Sequence, residues 1–430
     1  MLILIQGGRV IDPGHLDAVA DILIKDHKIV EIIAAGQQKP IETVSRIIDA
    51  SGKIVCPGFI DMHVHLREPG HEHKETIETG CRAATWGGVT AVCAMPNTDP
   101  VNDNCEITEF ILSQATRAHF AKVFPVGAIS IGLEGKQICE FEQLRACGVV
   151  AVSDDGNPVM DDHLMQTALA AAQSHDLPVI SHCEDLNLVA GGVMNAGAVA
   201  REMQLAGISN ASESVMVERD IALSELTGAP VHIAHVSTAE SVQALREAKS
   251  RSLKVTAETA PHYFMLTDEA VRQRGTNAKM NPPLRSAEDR EAIRRGLADG
   301  TIDVIATDHA PHSSREKSVE FNEAANGIIG LETAVSLGLI LVQEGVISLT
   351  QLIEKMSTNP ARILGLESGL RPDHSADITI IDPQVAFKVD VDQFQSLSKN
   401  CPFDGWQLKG RAVLTMVDGR VVFEEENPNK

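Results

Sequence analysis

The stretch from Ile54 to Arg67 decides how this chain folds, and it reads Ile-Val-Cys-Pro-Gly-Phe-Ile-Asp-Met-His-Val-His-Leu-Arg. Its apolar first part predicts a buried β-strand over Ile54–Met62. His63 and His65 stand two residues apart at the end of that strand, so both imidazoles project to the same side. Two converging imidazoles at the end of a buried strand suit a metal ion.

A second stretch, far downstream, has the same character. An apolar strand is predicted over Asp303–Ala306, and the run Thr307-Asp308-His309-Ala310-Pro311-His312 follows it directly. This run adds a carboxylate and further imidazoles at a strand end. A chain that places such groups at the ends of successive strands is expected to be a metal-dependent hydrolase.

Between these two stretches, apolar strands alternate with longer helical segments. Eight strands are predicted, each followed by a candidate helix: Ile54–Met62, Val89–Met95, Ala121–Val126, Val149–Ser153, Pro178–Ser181, Pro230–Ala234, Leu253–Ala257 and Asp303–Ala306. Strand–helix alternation is typical of a parallel sheet, and eight units predict an α/β fold of the (β/α)8 TIM-barrel type. Active-site groups of such barrels lie at the carboxyl ends of the strands.

Both chain ends show a different pattern, of short strands separated by turns. Residues 1–54 contain several short β-type segments, and residues 363–430 contain more of them around the turn Asp418-Gly419. An Asp-Gly pair between apolar runs is typical of a two-residue hairpin. Neither end is large enough for a core of its own. We therefore expect the two ends to pack together as a small β-sandwich beside a barrel of residues 55–362.

The composition limits the classes of partner. The chain has 430 residues and a formal net charge of −22, so it lacks the basic surface that nucleic acids and anionic membranes require. No apolar run approaches the ~18 residues of a membrane span, and the short apolar N-terminus is interpreted as a strand rather than a signal peptide. None of the eight cysteines forms a C-x-x-C pair. These features predict a cytoplasmic protein with reduced, mostly buried thiols.

The carboxyl ends of the predicted barrel strands carry many metal-ligating side chains. Six of them, called here the rim residues, would meet at one end of the barrel: His63, His65, Asp155, His182, His235 and Asp308. Four imidazoles and two carboxylates are enough for two metal ions that share a bridging ligand.

Each rim residue has a simpler interpretation on its own. A histidine such as His182 at a strand end is commonly a hydrogen-bonded core residue, Asp154-Asp155-Gly156 is commonly a turn, and His262 after a proline could cap a helix. His232 and His235 face opposite sides of one strand, so only one can be a ligand, and its place at the strand end favours His235. The coincidence of six such groups on one rim favours the metal interpretation.

Two motifs resemble the signatures of the dihydroorotase family, within the amidohydrolase superfamily. They are Asp61–Pro69 and Thr307–His312, the second with Lys317 five residues later. The likeness extends over nearly the whole chain and includes Met95–Thr98 and Met280–Arg285. It is closest to the longer bacterial form, in which an aspartate at the fourth strand bridges the metals.

The resemblance implies two zinc ions per subunit, the first of them at the first strand. His63 and His65 would bind this zinc, and Asp308 would lie close to it. Asp308 would also be the catalytic group, because a carboxylate beside the attacking water can take its proton and return it to the leaving nitrogen.

The second zinc is implied at the fifth and sixth strands. His182 and His235 would bind it. Asp155 would bridge the two ions, with Asp154 as the alternative bridge.

The substrate contacts implied by the resemblance include the following residues. The carboxylate would be held by Arg67, Asn97 and His312, with His65 beside them, and the ring or ureido group by Asn281 and the backbone of Asn326 and Gly327. Arg67 lies two residues past His65, so it projects from the same rim and can form a bidentate pair with a carboxylate. The chain has Asn326 where the family usually has phenylalanine, which would make that wall of the pocket more polar.

The activity implied by the resemblance is the reversible cyclisation of N-carbamoyl-L-aspartate to (S)-dihydroorotate, a step of de novo pyrimidine synthesis. The expected assembly is a homo-oligomer, with aspartate transcarbamoylase as a candidate partner.

Two alternatives stay open. A relative that acts on hydantoin, dihydropyrimidine or allantoin shares the barrel and the His-x-His pair, but usually bridges its metals with a carboxylated lysine, and Val149–Gly156 contains no lysine. A non-catalytic structural partner of aspartate transcarbamoylase would have lost metal ligands, whereas the expected set is present.

Overall fold

The computed structural model describes residues 1–34 and 44–425, so residues 426–430 of the expected C-terminal segment lie outside the described residues. The described strands are β1 Leu2–Asp12, β2 Leu16–Lys25, β3 Lys28–Ala34, β4 Arg46–Asp49, β5 Ile54–Pro57, β6 Phe59–Val64, β7 Val89–Ala94, β8 Lys122–Gly127, β9 Ala151–Val152, β10 Val179–Ser181, β11 Met194–Asn195, β12 Gly207–Ile208, β13 Val231–Ile233, β14 Val255–Thr259, β15 Val304–Ile305, β16 Ile378–Lys388, β17 Gln407–Val417 and β18 Arg420–Glu424.

Helices separate the strands of the central part of the chain. The described α-helices are α1 Ile77–Trp86, α2 Cys105–Ala118, α3 Phe141–Ala146, α4 Asp162–Ser174, α5 Leu186–Val189, α6 Ala198–Met203, α7 Ala211–Thr227, α8 Ala239–Ser250, α9 Pro261–Met265, α10 Ala270–Arg274, α11 Ala287–Asp299, α12 Ser314–Lys317, α13 Ala334–Gln343, α14 Leu349–Ile353 and α15 Asn359–Leu364. A π-helical turn over Glu354–Thr358 joins α14 to α15, and 3-10 turns cover Ile131–Leu133, Gly275–Ala278 and Val391–Gln393.

The central strands form the barrel that the sequence predicts. Eight of the described strands hydrogen-bond in the order β6-β7-β8-β9-β10-β13-β14-β15. All neighbouring pairs in this order are parallel. The strand order confirms the (β/α)8 fold, and it places the carboxyl ends of all eight strands at one end of the barrel.

The first and last strands of the barrel meet through single contacts rather than a ladder. Val64 and His309 form an isolated parallel bridge, and the His65 N–H donates to the His309 carbonyl at 2.9 Å. The buried carboxylate of Asp61 accepts hydrogen bonds from the Thr307 N–H at 3.1 and 3.2 Å. A side chain therefore replaces part of the missing ladder at this seam.

One predicted strand is divided in two. The sequence predicts a single strand over Ile54–Met62, but the structure breaks it at Gly58 into β5 and β6. Strand β5 pairs with β1 and β16 in the terminal sheet, whereas β6 begins the barrel. A Cβ atom on Gly58 would lie 2.1 Å from the Thr90 hydroxyl oxygen, so only glycine fits where the chain crosses between the two. We propose that the domain division falls at Gly58 rather than at residue 54.

The two chain ends form one sheet, as expected. Its described strands follow the order β18-β17-β16-β5-β1-β2-β3, and β4 also pairs with β1. Ile22 in β2 and Met416 in β17 belong to the same apolar cluster, so the curved sheet packs on itself as a small sandwich. The predicted hairpin is present: Val417 pairs with Arg420, and Asp418 and Gly419 both have positive φ, as a type I′ turn requires.

Helix α1 illustrates how the helices are placed against the barrel. The Thr76 side chain accepts from the Thr79 N–H, and the Thr79 hydroxyl accepts from the Thr76 N–H, which is a capping box at the start of the helix. Ile77, Cys81 and Ala84 are buried on one face of this helix. The helix therefore covers the barrel with its apolar side and starts at a fixed residue.

The cysteines differ in part from the expectation of reduced thiols. Cys105 and Cys147 form a disulfide with a Cα–Cα distance of 5.6 Å, while Cys56, Cys81, Cys93, Cys139, Cys183 and Cys401 are free and buried. The bonded pair is separated by 42 residues. The two cysteines meet only because the start of α2 packs beside the end of α3, so no local sequence pattern could have predicted the bond. Among the described helices, none is both long and apolar enough to cross a bilayer.

Candidate metal centre and substrate site

Two groups of three metal-ligating side chains lie at the carboxyl end of the barrel. One group is His63, His65 and Asp155, and the other is Asp155, His182 and His235. In each group, the nitrogen and oxygen atoms that could bind a metal lie within 4.8 Å of one another, and all five residues are buried. Asp155 belongs to both groups, which is the arrangement that a bridging ligand requires.

The distances around Asp155 show how closely the two groups converge. Its Oδ1 lies 3.3 Å from His63 Nε2, 3.4 Å from His235 Nε2 and 3.5 Å from His182 Nδ1. Its Oδ2 lies 3.4 Å from His65 Nε2. Burial opposes ionisation of this carboxyl, but the surrounding imidazoles outweigh burial and hold the pKa of Asp155 well below its usual value.

The donor atoms of this centre fit a metal ion. His63 Nε2 and Asp155 Oδ1 are buried, and neither has a hydrogen-bond partner among the described residues. Buried polar atoms without a partner are unfavourable unless another group binds them. A set of imidazole nitrogens with a carboxylate oxygen suits zinc.

Asp308 lies beside the first group. It follows β15 and adopts a positive φ of 48°, which is uncommon for a residue other than glycine. Its Oδ1 lies 3.2 Å from His65 Nε2 and 3.6 Å from His63 Nε2. The six rim residues thus lie together, as the sequence predicts, although their roles in catalysis stay predictions.

Further polar side chains orient the imidazoles: Glu258, to which the sequence analysis assigned no role, and Asn97, which was predicted as a substrate contact. Glu258 Oε1 accepts from His63 Nδ1 at 2.6 Å, and Asn97 Oδ1 accepts from His65 Nδ1 at 2.9 Å. These bonds leave Nε2 of each ring free as a ligand atom. Glu258 directly follows the predicted strand Leu253–Ala257 and could have been noticed there, but a sequence cannot show which imidazole it meets.

The second group is supported in a similar way. Glu184 Oε2 lies 3.1 Å from His182 Nε2, which leaves Nδ1 of that ring directed at Asp155. The Asn281 side-chain amide donates to the same Glu184 oxygen at 2.9 Å. Asn281, predicted to contact the substrate, is thus held beside the second group.

Replacing Glu258 with glutamine should weaken metal binding at the first group. The substitution keeps the shape but removes the charged acceptor for His63, and loss of such an outer partner typically costs 10–100-fold in metal affinity (about 1–3 kcal/mol). Competition with a chromophoric chelator would measure the affinity of each metal site for zinc. Equal affinities in the variant and the wild-type protein would contradict this role for Glu258.

The predicted carboxylate-binding residues lie next to the metal-ligand groups. Arg67 Nη2 is 3.2 Å from His312 Nε2, and Arg67 Nε donates to the Pro311 carbonyl at 3.1 Å. Burial lowers the pKa of Arg67 to about 10. Burial, together with the nearby charge of Arg67, lowers the pKa of His312 to about 2. The pair therefore combines a charged guanidinium with a neutral imidazole.

The other residues that were predicted to contact the substrate also form hydrogen bonds within the protein. Asn97 bonds His65, and its amide also donates to the Asp155 carbonyl at 3.4 Å. The Asn326 carbonyl accepts from His312 Nε2 at 2.8 Å, and its side chain is exposed. The Gly327 N–H donates to the Lys279 carbonyl at 3.0 Å. Direct contact of this backbone with substrate stays a prediction.

The alternative ligands have other partners. The Asp154 carboxylate accepts from the N–H groups of Ile129 at 2.8 Å and Ser130 at 3.0 Å, so it points away from the rim, and Asp155 is the carboxylate that the two groups share. His232 bonds the Thr256 hydroxyl at 2.8 Å. His262 does not cap α9, which begins after Ala260, and burial lowers its pKa to about 4.

Comparisons with known proteins agree with this geometry. A family model described as dihydro-orotase-like matches residues 52–241. Curated proteins named dihydroorotase from Desulforapulum autotrophicum and Syntrophus aciditrophicus are 53% and 52% identical to this chain, over 99% of it and 100% of each relative. A solved L-hydantoinase (dihydropyrimidinase) from Arthrobacter aurescens superimposes with a TM-score of 0.88 at 27% identity, covering 99% of this chain and 96% of that one.

The barrel is that of the amidohydrolases, and its structural neighbour places the chain among the cyclic amide hydrolases, the class that includes the hydantoinase. Within that class, the sequence identity of 53% to a dihydroorotase, over 99% of this chain, decides the family. The chain belongs to the dihydroorotase family, as its two motifs predicted.

Proposed function

We propose that this protein is a zinc-dependent dihydroorotase that interconverts N-carbamoyl-L-aspartate and (S)-dihydroorotate, with two ions per subunit. The observation that carries the proposal is the position of Arg67 and His312 next to two ligand groups that share Asp155. A substrate held there by its carboxylate would present its amide carbonyl to the metal-binding side of the pocket.

Each group of the site has a distinct part in the reaction. Two bound zinc ions would supply Lewis acidity, which activates a water and polarises the amide carbonyl. The planar guanidinium of Arg67 can bind the substrate carboxylate with two parallel hydrogen bonds. In hydrolysis Asp308 accepts the proton of the attacking water and delivers it to the leaving ring nitrogen. In synthesis the same carboxyl group starts protonated.

Arg67→Lys separates this proposal from the hydantoinase-type alternative, whose ring substrates need no carboxylate partner. A lysine ammonium cannot form the two parallel hydrogen bonds that a guanidinium forms with a carboxylate. Loss of a buried charged partner costs about 2–5 kcal/mol. We expect kcat/KM for N-carbamoyl-L-aspartate to fall ~30- to ~5,000-fold, with zinc content unchanged. Steady-state kinetics and metal analysis on one sample would measure both. Unchanged efficiency would favour the hydantoinase-type activity instead.

The proposal is tested most directly by assay of cyclisation and metal content on one wild-type sample. N-carbamoyl-L-aspartate carries two carboxylates at neutral pH and dihydroorotate carries one, so cyclisation consumes a proton. The equilibrium ratio should therefore shift about tenfold per pH unit toward the ring as the pH falls. Turnover of hydantoin or dihydrouracil, without turnover of dihydroorotate, would reject the proposal.

The wider setting of the enzyme is also a proposal. We place it in the cytoplasm as a homo-oligomer, in de novo pyrimidine synthesis, with aspartate transcarbamoylase as a candidate partner. A purely structural role beside that partner is disfavoured because all six rim residues are present. Light scattering of the purified protein, alone and mixed with the transcarbamoylase, would measure the homo-oligomer and the complex. A purified protein without zinc and without activity would support the structural role.

A further inference from the structure

Asn400 lies in a segment that the sequence analysis did not connect with the site. This segment, residues 395–401, is called here the strap. It lies between β16 and β17 and contacts the loops that follow β6 and β15. The Leu397 N–H donates to Glu75 at 2.9 Å, and the Ser398 hydroxyl donates to the Lys74 carbonyl at 2.6 Å. The C-terminal part of the chain thus reaches the end of the barrel that holds the metal-ligand groups.

The Asn400 side chain uses both of its donors and its oxygen on the segments before and after α12, in the connection that follows β15. It is 4% exposed. Its amide donates to the carbonyls of Ala310 and Gly327, both at 3.1 Å. Its Oδ1 accepts from the His312 N–H at 3.1 Å. A buried amide with both donors and its oxygen satisfied has one orientation, and it fixes the groups that it binds.

The loop that Asn400 binds also sets the position of the carboxylate-binding pair. His312 belongs to this loop, and Arg67 Nε donates to the Pro311 carbonyl in its middle. Gly327 packs against the same loop with a φ of 135°, and a Cβ there would lie 2.6 Å from the Ala310 Cβ. A shift of the loop would therefore move the imidazole of His312 and the guanidinium of Arg67 together.

We propose that Asn400 is a positioning residue that holds the Arg67–His312 pair in the geometry that binds the substrate carboxylate. The inference rests on the proposed function. Among the described contacts, Asn400 touches none of the six rim residues. Its loss should therefore weaken substrate binding while leaving the chemical step and the metals nearly unchanged.

Lys317 supports the same interpretation from the opposite side of Gly327. Its buried ammonium donates to the carbonyls of Ala325 at 2.8 Å and Gly327 at 2.9 Å. Lys317 and Asn400 thus share one acceptor, the Gly327 carbonyl. Since Lys317 remains in an Asn400 variant, the loop should shift but not unfold, which makes the variant informative.

The strap offers a matched control for Asn400. Ser398 lies two residues away and is also buried, but its hydroxyl binds the Lys74 carbonyl and neither of the loops that Asn400 binds. Ser398→Ala therefore removes a strap hydrogen bond without loosening His312. Asn400→Asp is a second test variant, because it keeps the acceptor for the His312 N–H and loses both donors.

The experiment compares wild type, Asn400→Ala, Asn400→Asp and Ser398→Ala in steady-state hydrolysis of dihydroorotate, with zinc content measured on each sample. For both Asn400 variants we expect KM to rise about tenfold, as for one lost buried hydrogen bond, with kcat within about threefold and zinc unchanged. Ser398→Ala should stay near wild type in both constants.

Three results would overturn the inference. They are an unchanged KM in both Asn400 variants, an equal rise in Ser398→Ala, and a loss of kcat together with zinc, which would indicate general damage. If Asn400→Ala does not fold, Asn400→Asp decides alone, and misfolding of both would also overturn the inference. Inactive wild-type protein would reject the proposed function and this inference together, whereas active wild type with an unchanged KM in both Asn400 variants would reject the inference alone.

Discussion

Asp155→Ala should abolish activity and release both metal ions from a barrel that stays folded. Asp155 is the residue that the two ligand groups share, and its oxygens lie 3.3–3.5 Å from the four imidazoles. Under the proposed function, its loss would leave the first ion with His63, His65 and the nearby Asp308, the second ion with His182 and His235, and neither with a bridge. Without a metal, water has a pKa of ~15.7 and is a poor nucleophile, so we expect kcat/KM to fall more than ~10⁴-fold.

For Asp155→Ala, zinc per subunit is measured on protein that has never been exposed to a chelator. Thermal unfolding shows whether the barrel stays folded. Asp154→Asn is the matched control, because Asp154 is the neighbouring buried carboxylate whose partners are Ile129 and Ser130. The control should retain stoichiometric zinc. Two zinc ions retained in Asp155→Ala, or no transition metal in the wild-type protein, would contradict the shared-ligand site.

Asp308→Ala should stop turnover in both directions while the substrate still binds. Asp308 lies 3.2 Å from His65 Nε2, beside the first ligand group, whereas binding of the substrate carboxylate is assigned by the proposal to Arg67 and His312. Loss of a general acid–base group typically lowers the rate 10²–10⁴-fold, or about 3–5 kcal/mol in the barrier. Hydrolysis and cyclisation should fall by the same factor, because one transition state serves both directions.

Calorimetric titration with dihydroorotate would measure binding to the Asp308→Ala protein, and zinc analysis would show whether the ions remain. Asp308→Asn tests the proton transfer more narrowly, since it keeps the size of the side chain and removes its basicity. Near-normal rates in either direction would leave Asp308 as a plain metal ligand, without a part in proton transfer.

The sequence could predict which residues meet at the rim, because strand ends of a parallel barrel share one end. His63, His182 and Asp308 could therefore be grouped from strand positions alone. The same reasoning could not choose between Asp154 and Asp155, since both follow β9. Packing decides that choice: Asp154 turns toward the amides of Ile129 and Ser130.

The residues that orient the site were harder to predict, because their roles depend on contacts distant in sequence. Glu258 meets His63 from 195 residues away, and Asn400 meets His312 from 88 residues away. Neither contact leaves a periodic or local pattern. The break at Gly58 was missed for a related reason. An uninterrupted apolar run looks like one strand. The glycine at position 58 is required by the side chain of Thr90, and that contact is known only once the chain is folded.

The contacts between the strap and the site form late in the synthesis of the chain. Domains generally fold from the N-terminus during synthesis, and all six rim residues have left the ribosome well before residues 395–401. A nascent chain that ends after α15 contains the ligand groups but lacks Asn400, and it also lacks β16, the partner of β5. The loop that carries His312 therefore forms its hydrogen bonds with Asn400 only after the rim residues and strand β16 have been made.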